Sequence, residues 1–247
     1  MQQKNNYISK TRGIYFLRLI GRVVVFLIAI MLYIFDREEF NIAIGWNFFY
    51  EFSPLHLLWV IWMLDMVVQL MPVKAHISIG SQKVFESLFT PIKEKINYKS
   101  LKQYIKDTTA SAYKVMLIWI FLTIVISVLY LTGIIDTGAM ILLSTFFYVC
   151  DLICVLIWCP FRLIMKNKCC TTCRIFNWDH LMMFLPIVTV NSFYSWSLVV
   201  FSFLIWLVWE VCVITYPERF WENSNVALRC SECTDKLCTQ YCRKLRK

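Results

Sequence analysis

Eight of the eleven cysteines fall in two short stretches. One runs from Trp158-Cys159-Pro160 to Lys168-Cys169-Cys170-Thr171-Thr172-Cys173-Arg174, where an apolar run meets a basic one, and the other is the tail, with Cys230, Cys233, Cys238 and Cys242. The loop reads C-C-x2-C and the tail C-x2-C-x4-C-x3-C, spacings at which a tight turn aims two sulfurs at one metal. Zinc takes four such ligands tetrahedrally, and iron–sulfur clusters also favour four thiolates. The tail departs from the bacterial ferredoxin run in having a longer middle gap and no final proline, so zinc and an iron–sulfur cluster both stay open. Two C-x2-C pairs, Cys170/Cys173 and Cys230/Cys233, would complete one four-sulfur site across loop and tail. Cys169, Cys238 and Cys242 are then spare, or build a second site with Cys159 or His180. The plainer alternative makes Cys159 a small core residue and Cys238 and Cys242 chance neighbours on a frayed tail. Cys150, Cys154 and Cys212 lie inside apolar runs and read as packing residues.

The elements that must position these thiols are membrane helices. A mean hydropathy of +0.60, with 59% hydrophobic and 17% charged residues over 247 positions, lies far from the mix of a soluble domain. The expected fold class is an all-α polytopic bundle of about six transmembrane helices, at residues 13–35, 54–72, 114–135, 139–164, 179–194 and 196–216, followed by a basic cytoplasmic tail at 217–247. The first run is about 23 residues with no small-x-small site after it, so it reads as an uncleaved helix and not a signal peptide. Ser100-x-x-Gln103 has capping-box spacing and predicts a helix start before the third span. Val84, Phe85, Leu88 and Phe89 fit a short amphipathic helix on the headgroups. The thirty-eight positions 179–216 are too many for one span, and Pro186 with Asn191-Ser192 divides them into two, hinged near Val190–Ser195.

Charge asymmetry sets the orientation. The N-terminus, the loop at 73–110, the 162–174 segment (Arg162, Lys166, Lys168, Arg174) and the tail are rich in Lys and Arg and belong on the cytoplasmic side. That requires an even number of crossings of the cell membrane, with both termini inside. Both cysteine stretches then face a compartment that keeps thiols reduced, which favours metal or redox chemistry over structural disulfides. The net charge of +9 sits in clusters flanking apolar runs, so it reads as topology and contact with the bilayer, not as nucleic-acid binding. Loop 73–110 is suited to recruiting anionic lipid or a soluble cytoplasmic partner.

Five charged residues fall inside the apolar runs: Arg18, Arg22, Asp65, Asp151 and Glu210. An aspartate at the centre of a membrane helix costs about 2.5–3.5 kcal/mol on the insertion scale, so each needs a partner or water. Asp65 lies about 15 Å, and Asp151 and Glu210 about 18–21 Å, from the outer end of their spans, and the arginines entering from inside reach similar depth. Pairing of Arg18 or Arg22 with at least one of the carboxylates is expected, either as a packing device or as the lining of an inward-facing pocket; nearby interfacial water is enough for Glu210. His56, His76 and His180 do not face one another at equal depth, which argues against a bis-histidine haem.

No phosphate-binding glycine loop, nucleophile elbow, zinc-protease helix or dinucleotide fingerprint is present in the sequence. The expected function is therefore a multi-pass membrane protein with a cytoplasmic cysteine-ligated metal site, working in electron transfer through an iron–sulfur cluster. The alternative is a transporter or membrane scaffold whose cysteines bind structural zinc.

Overall fold

A computed structural model describes residues 10–71, 86, 89–93, 95–166 and 173–229, with side chains from Arg12 onward. Among them there are helices and 3-10 turns but no strand. Four helices are long and apolar enough to cross a membrane: α1 (Lys10–Phe35), α3 (Tyr98–Leu131), α4 (Thr137–Leu156) and α7 (Phe193–Thr215). Between them lie α2 (Leu55–Gln69), the single turn α5 (Arg162–Met165) and α6 (Asp179–Phe184), which continues as a 3-10 helix over Leu185–Thr189.

The helix boundaries follow from local chemistry and correct the expected ones in places. The helix leading into the third span starts earlier than Ser100: Asn97 is its N-cap, accepting from the N–H groups of Lys99 and Ser100. It ends in a Schellman turn, where Ile134 N–H reaches Leu129 O at 3.0 Å and Gly133 N–H reaches Tyr130 O at 3.0 Å. Gly133 sits at φ +75°, a conformation that costs glycine nothing. Asp136 then caps α4 through Ala139 N–H at 2.8 Å. α4 stops at Leu156, short of the expected 164, because Pro160 has no N–H to continue a helix and restricts the residue before it. The expected span at 179–194 is a helix of 6 residues and a 3-10 turn of 5, broken where Pro186 removes a donor.

In lipid, hydrophobic burial does not drive helices together, so association rests on close packing and on polar contacts between helices. Gly138 is one such contact: a Cβ there would lie 2.8 Å from the Tyr33 ring, so its absence lets α1 and α4 close up. The indole N–H of Trp59 on α2 donates to Ser197 Oγ on α7 at 2.8 Å, and that of Trp119 on α3 donates to Met182 O on α6 at 2.8 Å. The outward faces of α1, α3 and α7 stay apolar and exposed, as at Leu17, Leu117, Phe121 and Val211, which suits hydrocarbon and not water.

The connections gather at two ends. At one end Tyr33 and Arg37 meet Asp136, and Gly45 bridges the stretch before α7 through Gly45 N–H to Asn191 O and Phe193 N–H to Gly45 O. Phe48, Phe49, Trp59 and Phe193 pack there as an aromatic cluster. At the other end Val226 N–H donates to Thr90 O at 2.8 Å, and Tyr104 stacks on Trp221. The first part of the tail is thus held by its own hydrogen bonds: Ser224 and Asn225 are fully buried, and Asn225 donates to Arg219 O. As far as Arg229 the polar tail is tied down by these contacts. Apart from Glu86 and Phe89, the expected amphipathic helix at 84–89 lies outside the described residues.

Candidate functional site

Arg22 projects from α1 between α2 and α4. One guanidinium nitrogen donates to Asp151 at 2.7 Å and to the Tyr148 carbonyl at 2.7 Å, and the other donates to Asp65 at 2.8 Å. The Tyr148 ring lies 3.8 Å from the guanidinium carbon, an added cation–π contact. These side chains are mostly withdrawn from solvent, at 11% exposure for Arg22, 31% for Asp65 and 16% for Asp151. Arg22 thus meets two of the three carboxylates expected at its depth. Arg18, one turn earlier, packs its guanidinium over the Tyr15 ring and lines the same polar pocket.

The cluster extends to residues that depth alone did not single out. His180 is buried at the start of α6, its Nδ1 3.0 Å from Asp179 Oδ1 and its Nε2 3.7 Å from Asp65 Oδ2. Gln69, at the end of α2, donates to the same Asp179 oxygen at 3.4 Å, while its own buried Oε1 has no partner among the described residues. A polar cavity of about 40 Å³ lies among Arg18, Arg22, Asp65, Gln69, Asp151, Asp179 and His180. That is room for ordered water. Asp179 and Gln69 were missed because each ends an apolar run, where solvation is the simpler account of a polar residue. The Asp179-His180 pair at the mouth of a predicted span was the available signal.

Glu210 does not join this cluster. It accepts from Arg174 at 2.7 Å and from the Trp178 indole at 2.7 Å, with Arg174 at 6% and Glu210 at 13% side-chain exposure. Arg174 is therefore not a solvated topology charge, and Glu210 is held by a buried ion pair instead of interfacial water. Burial pulls the Arg174 guanidinium below its ordinary value, against the attraction of Glu210.

Next to the polar cavity is an apolar one of about 250 Å³, and the two share Asp151, Val155, Phe176 and Asp179 in their walls. Cys150, Cys154, Cys159 and Cys173 all line it. Cys150 and Cys154 are thus cavity residues, not only packing residues. Cys159 lies beyond the end of α4, where the Cys154 thiol donates to its sulfur; this bond, with help from the Phe161 and Arg162 N–H groups and against burial, pulls Cys159 down to about 7.

Of the nine candidate metal ligands, Cys169, Cys170, Cys230, Cys233, Cys238 and Cys242 lie outside the described residues. Among the described residues no group of three or more His, Cys, Asp or Glu side chains is arranged to hold a metal ion. Cys159 engages Cys154, and His180 engages Asp179 and faces Asp65; Cys169, Cys238 and Cys242, the other members of the second, mixed site, lie outside the described residues. Cys173 and Glu222 both lie within electrostatic range of the Tyr104 phenol, and the Arg229 guanidinium donates to Glu222 O at 3.1 Å. Comparison with protein-family models, with curated proteins and with solved structures finds no match to this chain.

Proposed function

We propose that this chain is a six-crossing redox protein of the cell membrane, with both termini in the cytoplasm and a cysteine-ligated metal centre where the inner loop meets the tail. The observation that carries the reading is the approach of Cys173 and of the segment Trp221–Arg229 to the same residue, Tyr104. In sequence Cys173 follows directly on the loop thiols Cys169 and Cys170, and Trp221–Arg229 leads directly into the tail thiols. Cys170 and Cys173 from the loop with Cys230 and Cys233 from the tail give the four sulfurs that zinc or an iron–sulfur cluster takes. The two short apolar helices serve as the second and fifth crossings. Broken helix at membrane depth is tolerated where protein covers it, and Leu181, Met182, Met183, Phe184 and Ile187 are all buried. The clustering of residues 36–53, 136 and 191–192 at one end, opposite residues 90, 221 and 226, supports an even number of crossings.

Metal analysis with an absorption spectrum, on full-length protein purified without oxygen, tests this. The redox reading expects iron, sulfide and a brown protein that loses its colour in both Cys173→Ser and Cys230→Ser. Colourless, zinc-loaded protein favours a transporter or scaffold. The polar cavity among Arg22, Asp65, Asp179 and His180 speaks for the transporter, and the basic loop 73–110, able to hold anionic lipid or a soluble partner, for the scaffold. Metal-free protein with all thiols free rejects both.

A further inference from the structure

The apolar cavity holds a feature that the proposed metal centre does not use: two thiols already in contact. Cys154 lies on the last turns of α4 and hydrogen-bonds to Cys159, five positions on. In a continuous helix those side chains would point about 140° apart. The end of α4 at Leu156 and the turn through Ile157–Pro160 bring Cys159 back onto the wall that Cys154 occupies. Cys159 sulfur also accepts from the N–H groups of Phe161 and Arg162, the kind of support that favours a thiolate. Trp119, Phe147, Phe161 and Phe176 give the cavity flat apolar walls, and the carboxylates of Asp151 and Asp179 stand at the side shared with the polar pocket. A cavity of about 150 Å³ holds benzene, so the 250 Å³ here takes one larger substituted ring but not a macrocycle.

We propose that Cys154 and Cys159 form a redox-active dithiol that reduces a membrane-soluble quinone bound in this cavity. Two S–H bonds break and one S–S bond forms; two electrons and two protons pass to the quinone, which leaves as the quinol. No other oxidant or reductant enters. Cys159, held by the backbone amides, is the leading nucleophile, and Cys154 closes the disulfide. The occupant must be apolar enough to reach a site among membrane helices, flat enough for aromatic walls, and able to take two electrons and two protons together, which a quinone is. A lipid acyl chain meets the first condition only.

The test uses full-length protein in detergent, reduced, freed of reductant and kept without oxygen. The probe is a benzoquinone substituted at every ring carbon and carrying a short alkyl chain, so that thiols do not form a stable ring adduct. Quinone loss is followed by absorbance, and the cysteines are mapped by differential alkylation and mass spectrometry. The expected result is one quinol per protein and a Cys154–Cys159 disulfide. Cys154→Ser and Cys159→Ser each slow the reaction by about 100-fold or more, as loss of an attacking or resolving thiol requires, while Cys212→Ser, on α7 and away from the cavity wall, stays within about 3-fold of the original rate. The wild-type disulfide map needs no variant and so stands even where a variant folds poorly. The proposal is overturned by a disulfide elsewhere with this pair still alkylatable, by quinone consumption that persists in both serine variants, or by a quinone that binds without being reduced. Metal content from the same preparation keeps the two ideas apart: metal-free protein that forms the disulfide removes only the metal centre, and metal-loaded protein that does not removes only the dithiol.

Discussion

Replacing Arg22 by methionine keeps an unbranched side chain on α1 and removes the cation that three helices share. Its guanidinium holds Asp151 at 2.7 Å and Asp65 at 2.8 Å, and it is 11% exposed. Two carboxylates with low access to water are left facing each other. The cost of breaking a buried pair comes chiefly from the charge left behind and is about 3–5 kcal/mol. For a chain of this size 1 kcal/mol moves Tm by about 2–4 °C, so Arg22→Met should lower it by about 6–20 °C. The same logic makes a second, sharper expectation. Adding Asp65→Asn and Asp151→Asn to Arg22→Met removes the orphaned charges, so the triple variant should regain at least half of the loss. Thermal unfolding in one detergent, followed by tryptophan fluorescence, measures all three proteins. A single variant within about 1 kcal/mol of the original, or a triple variant no more stable than the single, refutes the account of the cluster as a compensated buried charge group.

Glu210→Gln should destabilise by about 3–5 kcal/mol because Arg174, with two of its guanidinium nitrogens already unpartnered among the described residues, is left as a buried cation. Adding Arg174→Met should recover part of that, and equal melting of the single and double variants would contradict the ion-pair assignment. Gly138→Ala puts a methyl 2.8 Å from the Tyr33 ring and should cost about 1–3 kcal/mol through forced separation of α1 and α4, read as a lower melting temperature; an unchanged one would mean that Tyr33 simply turns aside. The Cys159 thiol is lowered to about 7 mainly by the Cys154 hydrogen bond, so its thiolate grows as pH rises through neutrality. Its alkylation rate should climb with a midpoint near there and shift upward in Cys154→Ser, and an identical pH profile in that variant would show that the bond does not act on Cys159.

Helix content, four of the six expected spans and the meeting of Arg22 with Asp65 and Asp151 were legible because they rest on composition and on depth counted along a helix. A charge in hydrocarbon must find an opposite charge at its own depth, and few were available. What the sequence hid depends on where helices stop. Leu156 and Ile157 look like any other pair in an apolar run, so Cys159 reads as part of a span and its contact with Cys154 is invisible from spacing five. Arg174 sits in a basic loop between predicted spans and Glu210 in the inner half of one, where topology and interfacial water are sufficient explanations of a charge, so nothing in the string announced that they pair across 36 positions. Asp179 was hidden for the same reason.

Both cavities owe their existence to those helix ends. Continued helix past Leu156 would carry Cys159 away from Cys154, and a straight α6 would not need the 3-10 turn at Leu185–Thr189 that sets its buried course beneath α4 and α7. A bilayer tolerates such breaks only where protein, not lipid, surrounds the freed backbone groups. Here the surrounding protein also supplies the thiols at Cys154 and Cys159 and the carboxylates at Asp151 and Asp179, so the places where regular helix fails are the places where this domain gathers its buried thiols and carboxylates.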